Sequence, residues 1–214
     1  MDAIPIQRDL LILVADADTE AALKGIISRP KSLGIRPIQA DVKRHLERDC
    51  GCRASGVEYL NSFRNQYRHA LLIFDLKGCG AENQTRDQLE SELEHRLNIS
   101  GWDGRAAAIV INPELENWIW SDSPHVGKTL GWEKTGASIK EWLNQKNLWP
   151  DGCHKPPDPK EAFMKVLREA KKPRSSSLYQ TLAEKVSFTR CSDEAFRKFI
   201  NTLKKWFGEE VGTV

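Results

Sequence analysis

Four short stretches of mainly apolar residues divide the first half of the chain. Leu10 to Val14 is aliphatic throughout, Ala70 to Phe74 ends before an aspartate, and Ala106 to Ile111 ends before an asparagine. Uninterrupted apolar runs of this length are typical of strands that are covered on both faces. A weaker run from Ile35 to Asp41 contains a proline, which favours an edge strand. We therefore predict four strands in this half.

Amphipathic stretches alternate with these strands. Apolar residues recur at helical spacing over residues Thr19 to Ser28, Glu58 to Tyr67 and Gln84 to Leu97. Strands that alternate with helices favour a parallel or mixed sheet with helices on its faces. In such a fold, functional residues gather at the carboxyl ends of the strands.

The second half of the chain has a different pattern. It contains no further convincing strand, and helix signals dominate. Asp158-Pro159-Lys160-Glu161 is a strong helix start, and an apolar stripe predicts a last helix from about Ser192 to Phe207. The sequence thus predicts an α/β domain over residues 8–122. A mostly helical, basic region over residues 123–214 would pack on it or form a small lobe.

Acidic residues follow three of the predicted strands. Asp16 and Asp18 come after the first, Asp75 after the third, and Glu114 and Glu116 after the fourth. If these side chains converge, their mutual repulsion would be relieved by a hard cation such as Mg²⁺, which prefers oxygen ligands. The alternative is that the aspartates only cap helices or stabilise turns.

The spacing of the two glutamates limits such a site. If Pro113 begins a helix, as its fixed φ favours, Glu114 and Glu116 point about 200° apart. Only one of them would then face the strand ends.

Three segments carry a family resemblance: an acidic turn with Thr19 and Glu20, the strand before Asp75, and the segment Pro113-Glu-Leu-Glu-Asn-Trp118, with Asp122 shortly after. Over residues 8–122 they resemble the small TOPRIM-like proteins of bacterial defence loci. The whole chain more narrowly resembles the small TOPRIM-like component of bacterial methylation-associated antiphage defence systems. This narrower resemblance includes Ser28 to Pro37 and Trp120 to His125.

The TOPRIM resemblance implies Mg²⁺-dependent phosphodiester chemistry, with a glutamate as general acid or base and aspartates on the metal. Carried over to this chain, it makes Asp16, Asp75, Glu114 and Glu116 the candidate catalytic residues. Asp16, Asp18, Asp75 and Glu114 would be the metal ligands.

Two departures from the family pattern weaken the implied activity. A glutamate is expected after the first strand, where this chain has Ala15 and Asp16. The second aspartate of the Asp-x-Asp pattern is Lys77. A charged lysine does not ligate Mg²⁺ and competes for the same carboxylates. The site would then either use the other acidic residues or bind without cleaving.

Charge is distributed unevenly along the chain, although the net charge is only +2. Residues 1–122 carry 15 basic and 19 acidic side chains, and residues 123–214 carry 17 and 11. The basic second half offers a candidate nucleic-acid surface, since clustered cations gain affinity by releasing phosphate counterions. A solvated helix surface would give the same charge pattern. The candidate residues are Lys171, Lys172, Arg174, Lys204 and Lys205.

Composition excludes several other classes. No apolar run approaches the roughly 20 residues that a membrane span needs, and the first residues lack a signal-peptide pattern. Five cysteines, an odd number, favour reduced thiols. We therefore expect a cytoplasmic protein without a membrane partner.

Two functional hypotheses follow. The first is a defence-system accessory protein whose acidic site is degenerate and which engages nucleic acid or another subunit of the system. The second is an active Mg²⁺-dependent nuclease that cleaves DNA or RNA with the acidic residues at the strand ends.

Overall fold

The structure, a computed structural model, describes residues 7–121, 123–132 and 138–209, without the side chain of Arg190. Asp122 therefore lies outside the described residues. Within them, four parallel strands form one sheet in the order β2-β1-β3-β4. The strands are β1 (Arg8–Val14), β2 (Ala40–Arg44), β3 (Tyr67–Asp75) and β4 (Ala106–Ile111).

Three of the four strand predictions are confirmed, and the second is displaced. β2 begins five residues later than the start predicted at Ile35, because the chain before it is tied to other elements. Gly34 ends a short helix with φ 68°. The N–H of Ile35 donates to the carbonyl of Pro30, and the N–H of Arg36 donates to the carbonyl of Phe207. These donors are therefore not available for pairing with β1.

Helices connect the strands and form all of the regular structure described after β4. The first half contains α1 (Ala17–Ile27), α2 (Pro30–Leu33), α3 (Arg48–Asn61) and α4 (Arg86–Leu97). The short helix α5 (Glu116–Ile119) ends the first half. The described part of the second half contains α6 (Pro124–Leu130), α7 (Ile139–Gln145), α8 (Pro159–Glu169), α9 (Ser176–Lys185) and α10 (Glu194–Phe207).

The prediction for α3 was wrong in its bounds. The apolar stripe from Glu58 to Tyr67 belongs partly to the last turns of this helix and partly to β3. The first turns escaped prediction because they contain two glycines and few apolar residues. Gly56 has a packing role, since a Cβ at this position would lie 2.8 Å from Cδ1 of Leu72. A glycine here lets α3 pack closely on β3.

The sheet is covered on both faces, as its apolar strands require. Leu10, Ile12 and Val14 of β1 belong to one buried cluster, and Leu11 and Leu13 belong to another. The first cluster also contains α1 and the apolar residues of all helices of the second half. The second contains the apolar residues of α3 and α4. The second half of the chain thus packs on one face of the sheet and shares its core.

No helix in the described part of the chain combines the length and the apolar character needed to cross a membrane.

Candidate functional site at the carboxyl edge of the sheet

The strand order creates a crevice at the carboxyl ends of β1 and β3. These strands are neighbours, but the chain leaves β1 toward β2 on one side and leaves β3 toward β4 on the other. In open parallel sheets, ligands bind where the connections diverge in this way. Asp16 lies just after β1, and Asp75 is the last residue of β3.

Three aspartates lie at this crevice. Asp49, in the first turn of α3, accepts a hydrogen bond from the backbone N–H of Asp75 at 2.9 Å. Asp16 accepts one from the N–H of Thr19 at 2.8 Å and so caps α1. Asp75 accepts one from the N–H of Leu115. None of the three aspartates forms an ion pair with another described residue. We call Asp16, Asp49 and Asp75 the aspartate side of the site.

Asp75 is the most confined member of the aspartate side. Its Oδ1 is buried and has no hydrogen-bond partner, although the residue as a whole is not fully enclosed. Burial raises its pKa well above the ordinary value, and the charges of Asp49, Glu116 and Asp16 add to this shift. Burial also raises the pKa of Asp49, with a contribution from the charge of Asp16. Carboxylates so placed hold protons more readily than exposed ones.

The neighbouring carboxylate of Glu114 has two cationic partners. The Nζ of Lys77 lies 2.7 Å from one oxygen of Glu114, and the Nζ of Lys160 lies 2.8 Å from the other. Glu114 is only 3% exposed. Lys160 comes from the first turn of α8, so the second half of the chain supplies one of the two cations. Both oxygens of Glu114 are thereby engaged.

Lys160 is held by several carboxylates. Burial lowers its pKa, but the hydrogen bond to Glu114 and the charges of Glu116, Glu114 and Asp75 outweigh burial and raise it. The hydrogen bond to Glu114 likewise raises the pKa of Lys77. Both ammonium groups are therefore stabilised in their charged form beside Glu114.

A second buried network surrounds Glu116. The hydroxyl of Tyr179 donates to Glu116 at 2.7 Å, and the guanidinium of Arg174 lies 3.7 Å from the same carboxylate. Arg174 also forms an ion pair with Asp18, which accepts a hydrogen bond from Ser176 at 2.6 Å. Burial raises the pKa of Glu116, while the hydrogen bond from Tyr179 opposes the shift. We call Asp18, Glu114 and Glu116, with their partners Lys77, Lys160 and Arg174, the paired side of the site.

The acidic residues singled out from the sequence all lie along this edge, but they have different partners there. Asp16 caps a helix, as the alternative interpretation expected, while Asp18 pairs with Arg174. The condition under which only one glutamate would face the strand ends is not met. The helix begins at Glu116 rather than at Pro113, and both glutamates are buried.

The Mg²⁺ site remains a prediction. Among the described residues, no three His, Cys, Asp or Glu side chains are grouped so that they could hold a metal ion. The feature that favours a cation is the unpartnered Oδ1 of Asp75, since hard cations are bound through carboxylate oxygens.

Sequence reasoning missed Asp49, Lys160 and Tyr179. Asp49 escaped because the start of α3 was not recognised. Lys160 stands in a recognised helix start, but its partner Glu114 is 46 positions away in the chain. Tyr179 lies 63 positions from Glu116. Nothing in the pattern of a single sequence specifies partners at such separations.

The five candidate nucleic-acid residues fall into two groups in the structure. Lys171, Lys172 and Arg174 lie in the connector between α8 and α9, and Arg174 reaches the acidic edge. Lys204 and Lys205 lie in the last turn of α10, where Lys204 approaches Gly34 and Phe207 packs on His69 near the start of β3. The second group is therefore at the amino end of the strands.

Comparison with family models, curated proteins and solved structures found no match to the chain. The four-stranded parallel α/β fold thus stands on the structure alone. The TOPRIM resemblance and the defence-system assignment stay predictions from the residues quoted for them.

Proposed function

We propose that the protein is an accessory protein of a bacterial antiphage defence system. Its TOPRIM-like acidic edge would be degenerate and would engage nucleic acid or a partner subunit without cleaving phosphodiester bonds. The sequence resemblance supports the defence assignment. The charges at the carboxyl edge support the loss of cleavage.

The pairing of Glu114 carries the proposal. This glutamate belongs to the segment Pro113-Glu-Leu-Glu-Asn-Trp118, in which the resemblance expects a metal-binding or catalytic carboxylate. Lys77 and Lys160 engage its two oxygens instead. Lys77 stands where the family pattern has a second aspartate. Fixed ammonium groups thus take the neutralising role that a bound cation would have.

Metal titration tests whether the edge is degenerate. Calorimetric titration of the wild-type protein with Mn²⁺ should show no metal binding. Incubation of the wild type with single- and double-stranded DNA and RNA in Mn²⁺ or Mg²⁺ should show no cleavage. Lys77→Asp restores the Asp-x-Asp pattern and releases one oxygen of Glu114, so this variant should gain Mn²⁺ binding. Metal binding and cleavage by the wild type, lost in Asp75→Asn, would refute the proposal.

Binding to nucleic acid can be tested on the two groups of basic residues. Lys171→Glu places a negative charge in the connector whose Arg174 reaches the acidic edge, and Lys204→Glu places one at the other end of the sheet. If the carboxyl edge engages nucleic acid, Lys171→Glu should weaken salt-dependent binding of a fluorescent oligonucleotide while Lys204→Glu should not. If wild-type protein neither binds an oligonucleotide at low salt nor copurifies with another defence subunit, the accessory role is wrong.

The aspartate side favours a second candidate, an active Mg²⁺-dependent nuclease. Mg²⁺ is often held by only one or two carboxylates together with substrate phosphates. Asp75, with its unpartnered oxygen, and Asp16 and Asp49 beside it are the residues that would take part. The cleavage assay above decides between the two candidates.

A further inference from the structure

The loop between β3 and α4 turns on two glycines directly after Lys77 of the paired side. Gly78 has φ 93° and Gly80 has φ 78°, in the left-handed region that residues with a side chain rarely adopt. Both glycines are exposed, and a Cβ placed on Gly78 would meet nothing within 4 Å. Gly78 therefore serves the backbone conformation rather than close packing, and the loop is open to solvent there.

The backbone N–H groups of the two glycines converge on one point. Both donate to Oε1 of Glu82, at 2.8 Å from Gly78 and 3.2 Å from Gly80. Turns that aim several backbone N–H groups at one point form concavities that bind anions. We call the N–H groups of Gly78 and Gly80 the glycine cradle. The cradle holds an anion from its own chain, the carboxylate of Glu82.

Glu82 is bound only through backbone N–H groups. Its side chain is exposed, and it forms no ion pair with a described residue. The hydrogen bonds from its own N–H and from those of Gly78 and Gly80 lower the pKa of its carboxyl group. Because this carboxylate is exposed, its departure from the cradle leaves no buried charge behind. Another anion can therefore compete with Glu82 for the same donors.

Other hydrogen bonds hold the loop besides those to Glu82. The N–H of Lys77 donates to the carbonyl of Pro113, and the Nε of Arg53 donates to the carbonyl of Cys79 at 2.7 Å. These bonds would keep the loop in place when the carboxylate leaves. The cradle is thus preorganised for an anion that replaces Glu82.

A cation lies beside the cradle. The Nη2 of Arg53 is 3.7 Å from the position that a Cβ on Gly80 would occupy. The guanidinium forms no ion pair with a described residue, and only its Nε is engaged in a described hydrogen bond. It therefore keeps N–H donors for an anion that presents more oxygens than a carboxylate does.

We propose that the glycine cradle binds a terminal phosphate group, that of inorganic phosphate or of a phosphate monoester, in exchange for the Glu82 carboxylate. The N–H groups of Gly78 and Gly80 would donate to one phosphate oxygen, and Arg53 would donate to another. A monoester has three terminal oxygens and a charge of about −1.5 to −2 at pH 7. It therefore matches the cradle and Arg53 together, whereas the carboxylate of Glu82 engages only the backbone donors.

Inorganic phosphate and a thymidine dinucleotide with and without a 5′ phosphate test the cradle, with the backbone N–H NMR signals of Gly78 and Gly80 as the readout. In the wild type, the 5′-phosphorylated dinucleotide should shift both signals at up to about 10 mM, since a site of few hydrogen bonds binds weakly. The unphosphorylated dinucleotide should not shift them. Equal affinities for inorganic phosphate and the phosphorylated dinucleotide would identify the phosphate alone as the ligand, and tighter binding of the dinucleotide would identify a monoester.

Substitutions at Glu82 and Arg53 test the exchange. Glu82→Ala removes the competing carboxylate and should bind inorganic phosphate at least about tenfold more tightly than the wild type. Glu82→Gln keeps an acceptor oxygen without the charge, so its affinity should lie between the two. Arg53→Gln keeps a side-chain N–H for the carbonyl of Cys79 but removes the cation, and it should weaken phosphate binding by about tenfold.

Glu169→Ala is the matched control. Glu169 is also exposed, but it lies at the end of α8 and forms no described hydrogen bond or ion pair. Its loss removes one negative charge without freeing the cradle, so phosphate affinity should change by less than about twofold. If Glu82→Ala binds phosphate no better than Glu169→Ala, then Glu82 only completes the turn and the proposal is overturned. It is also overturned if the 5′ phosphate makes no difference to the Gly78 and Gly80 signals of the wild type. These results do not depend on whether the acidic edge cleaves or binds nucleic acid.

Discussion

The aspartate side and the paired side of the acidic edge lie next to each other but balance their charges in different ways. On the paired side, Asp18 and Glu114 each have a close cationic partner, and Glu116 has the hydroxyl of Tyr179 with Arg174 farther away. On the aspartate side, Asp16, Asp49 and Asp75 have backbone N–H donors and no described ion pair. Negative charge is thus neutralised on one side and left without paired cations on the other.

The difference shows which part of the chain determines the chemistry of each side. The aspartate side consists of residues from β1, α3 and β3 and their connections. On the paired side, Lys160, Arg174 and Tyr179 come from the helical second half, which packs over the edge. The second half therefore does more than cover the sheet. It supplies Lys160 and Arg174, two of the three cations that distinguish this edge from a simple cluster of carboxylates.

Arg174→Met should have the largest effect on stability. It removes the cationic partner of Asp18 and one neighbour of Glu116, both of which have mostly buried side chains. Breaking a fully buried pair costs about 3–5 kcal/mol. Because the side chain of Arg174 is 36% exposed, we expect the free energy of unfolding to fall by about 2 kcal/mol in chemical denaturation at pH 7.

Arg168→Met is the control for this prediction. Arg168 is exposed in the last turn of α8 and forms no described ion pair, so its replacement should change stability by at most about 0.5 kcal/mol. Equal losses for the two variants would mean that the paired side does not depend on Arg174.

Asp75→Asn should raise the stability of the protein, by less than Arg174→Met lowers it. The variant keeps an oxygen that can accept the hydrogen bond from Leu115 and removes a confined charge without a paired cation. We expect it to stabilise the protein by about 1–2 kcal/mol at neutral pH. Urea denaturation of both proteins at pH 4, 5.5 and 7.5 measures the difference.

The sign of the pH dependence follows from the raised pKa of Asp75. The folded protein binds this proton more tightly than the unfolded chain. The wild type therefore loses stability as pH rises from the ordinary value of 3.8 through the raised value. The amide of the variant has no such proton, so the advantage of Asp75→Asn should grow with pH across this window. An advantage that is constant with pH, or a variant less stable than wild type at pH 7.5, would show that another group compensates the charge of Asp75.

The fold could largely be predicted from the sequence because its signals are local. The aliphatic runs that became β1, β3 and β4 are long enough to identify buried strands, and Asp158-Pro159 marked the start of α8. The failures also have local causes. β2 has only partly buried side chains and follows a turn held by Phe207, and the glycines of α3 weaken its helical pattern.

The candidate site could be predicted only in part. Carboxylates that follow parallel strands must lie at one edge, so the positions of Asp16, Asp75 and Glu114 along that edge could be deduced. Their partners could not, because Lys160 and Tyr179 reach the edge through the packing of the second half. Whether a carboxylate meets a cation depends on that packing, which local pattern does not specify.

Lys77→Gln should have the smallest effect. The side chain of Lys77 is 56% exposed, and Glu114 keeps Lys160 at 2.8 Å when Lys77 is removed. Exposed ion pairs contribute about 0–1 kcal/mol, so we expect a loss below about 1 kcal/mol in chemical denaturation. Lys160→Gln removes the more buried of the two cations and should cost more. If Lys77→Gln lowers the free energy of unfolding more than Lys160→Gln does, then Lys77 rather than the second half of the chain neutralises Glu114. The paired side would then not depend on the second half at this residue.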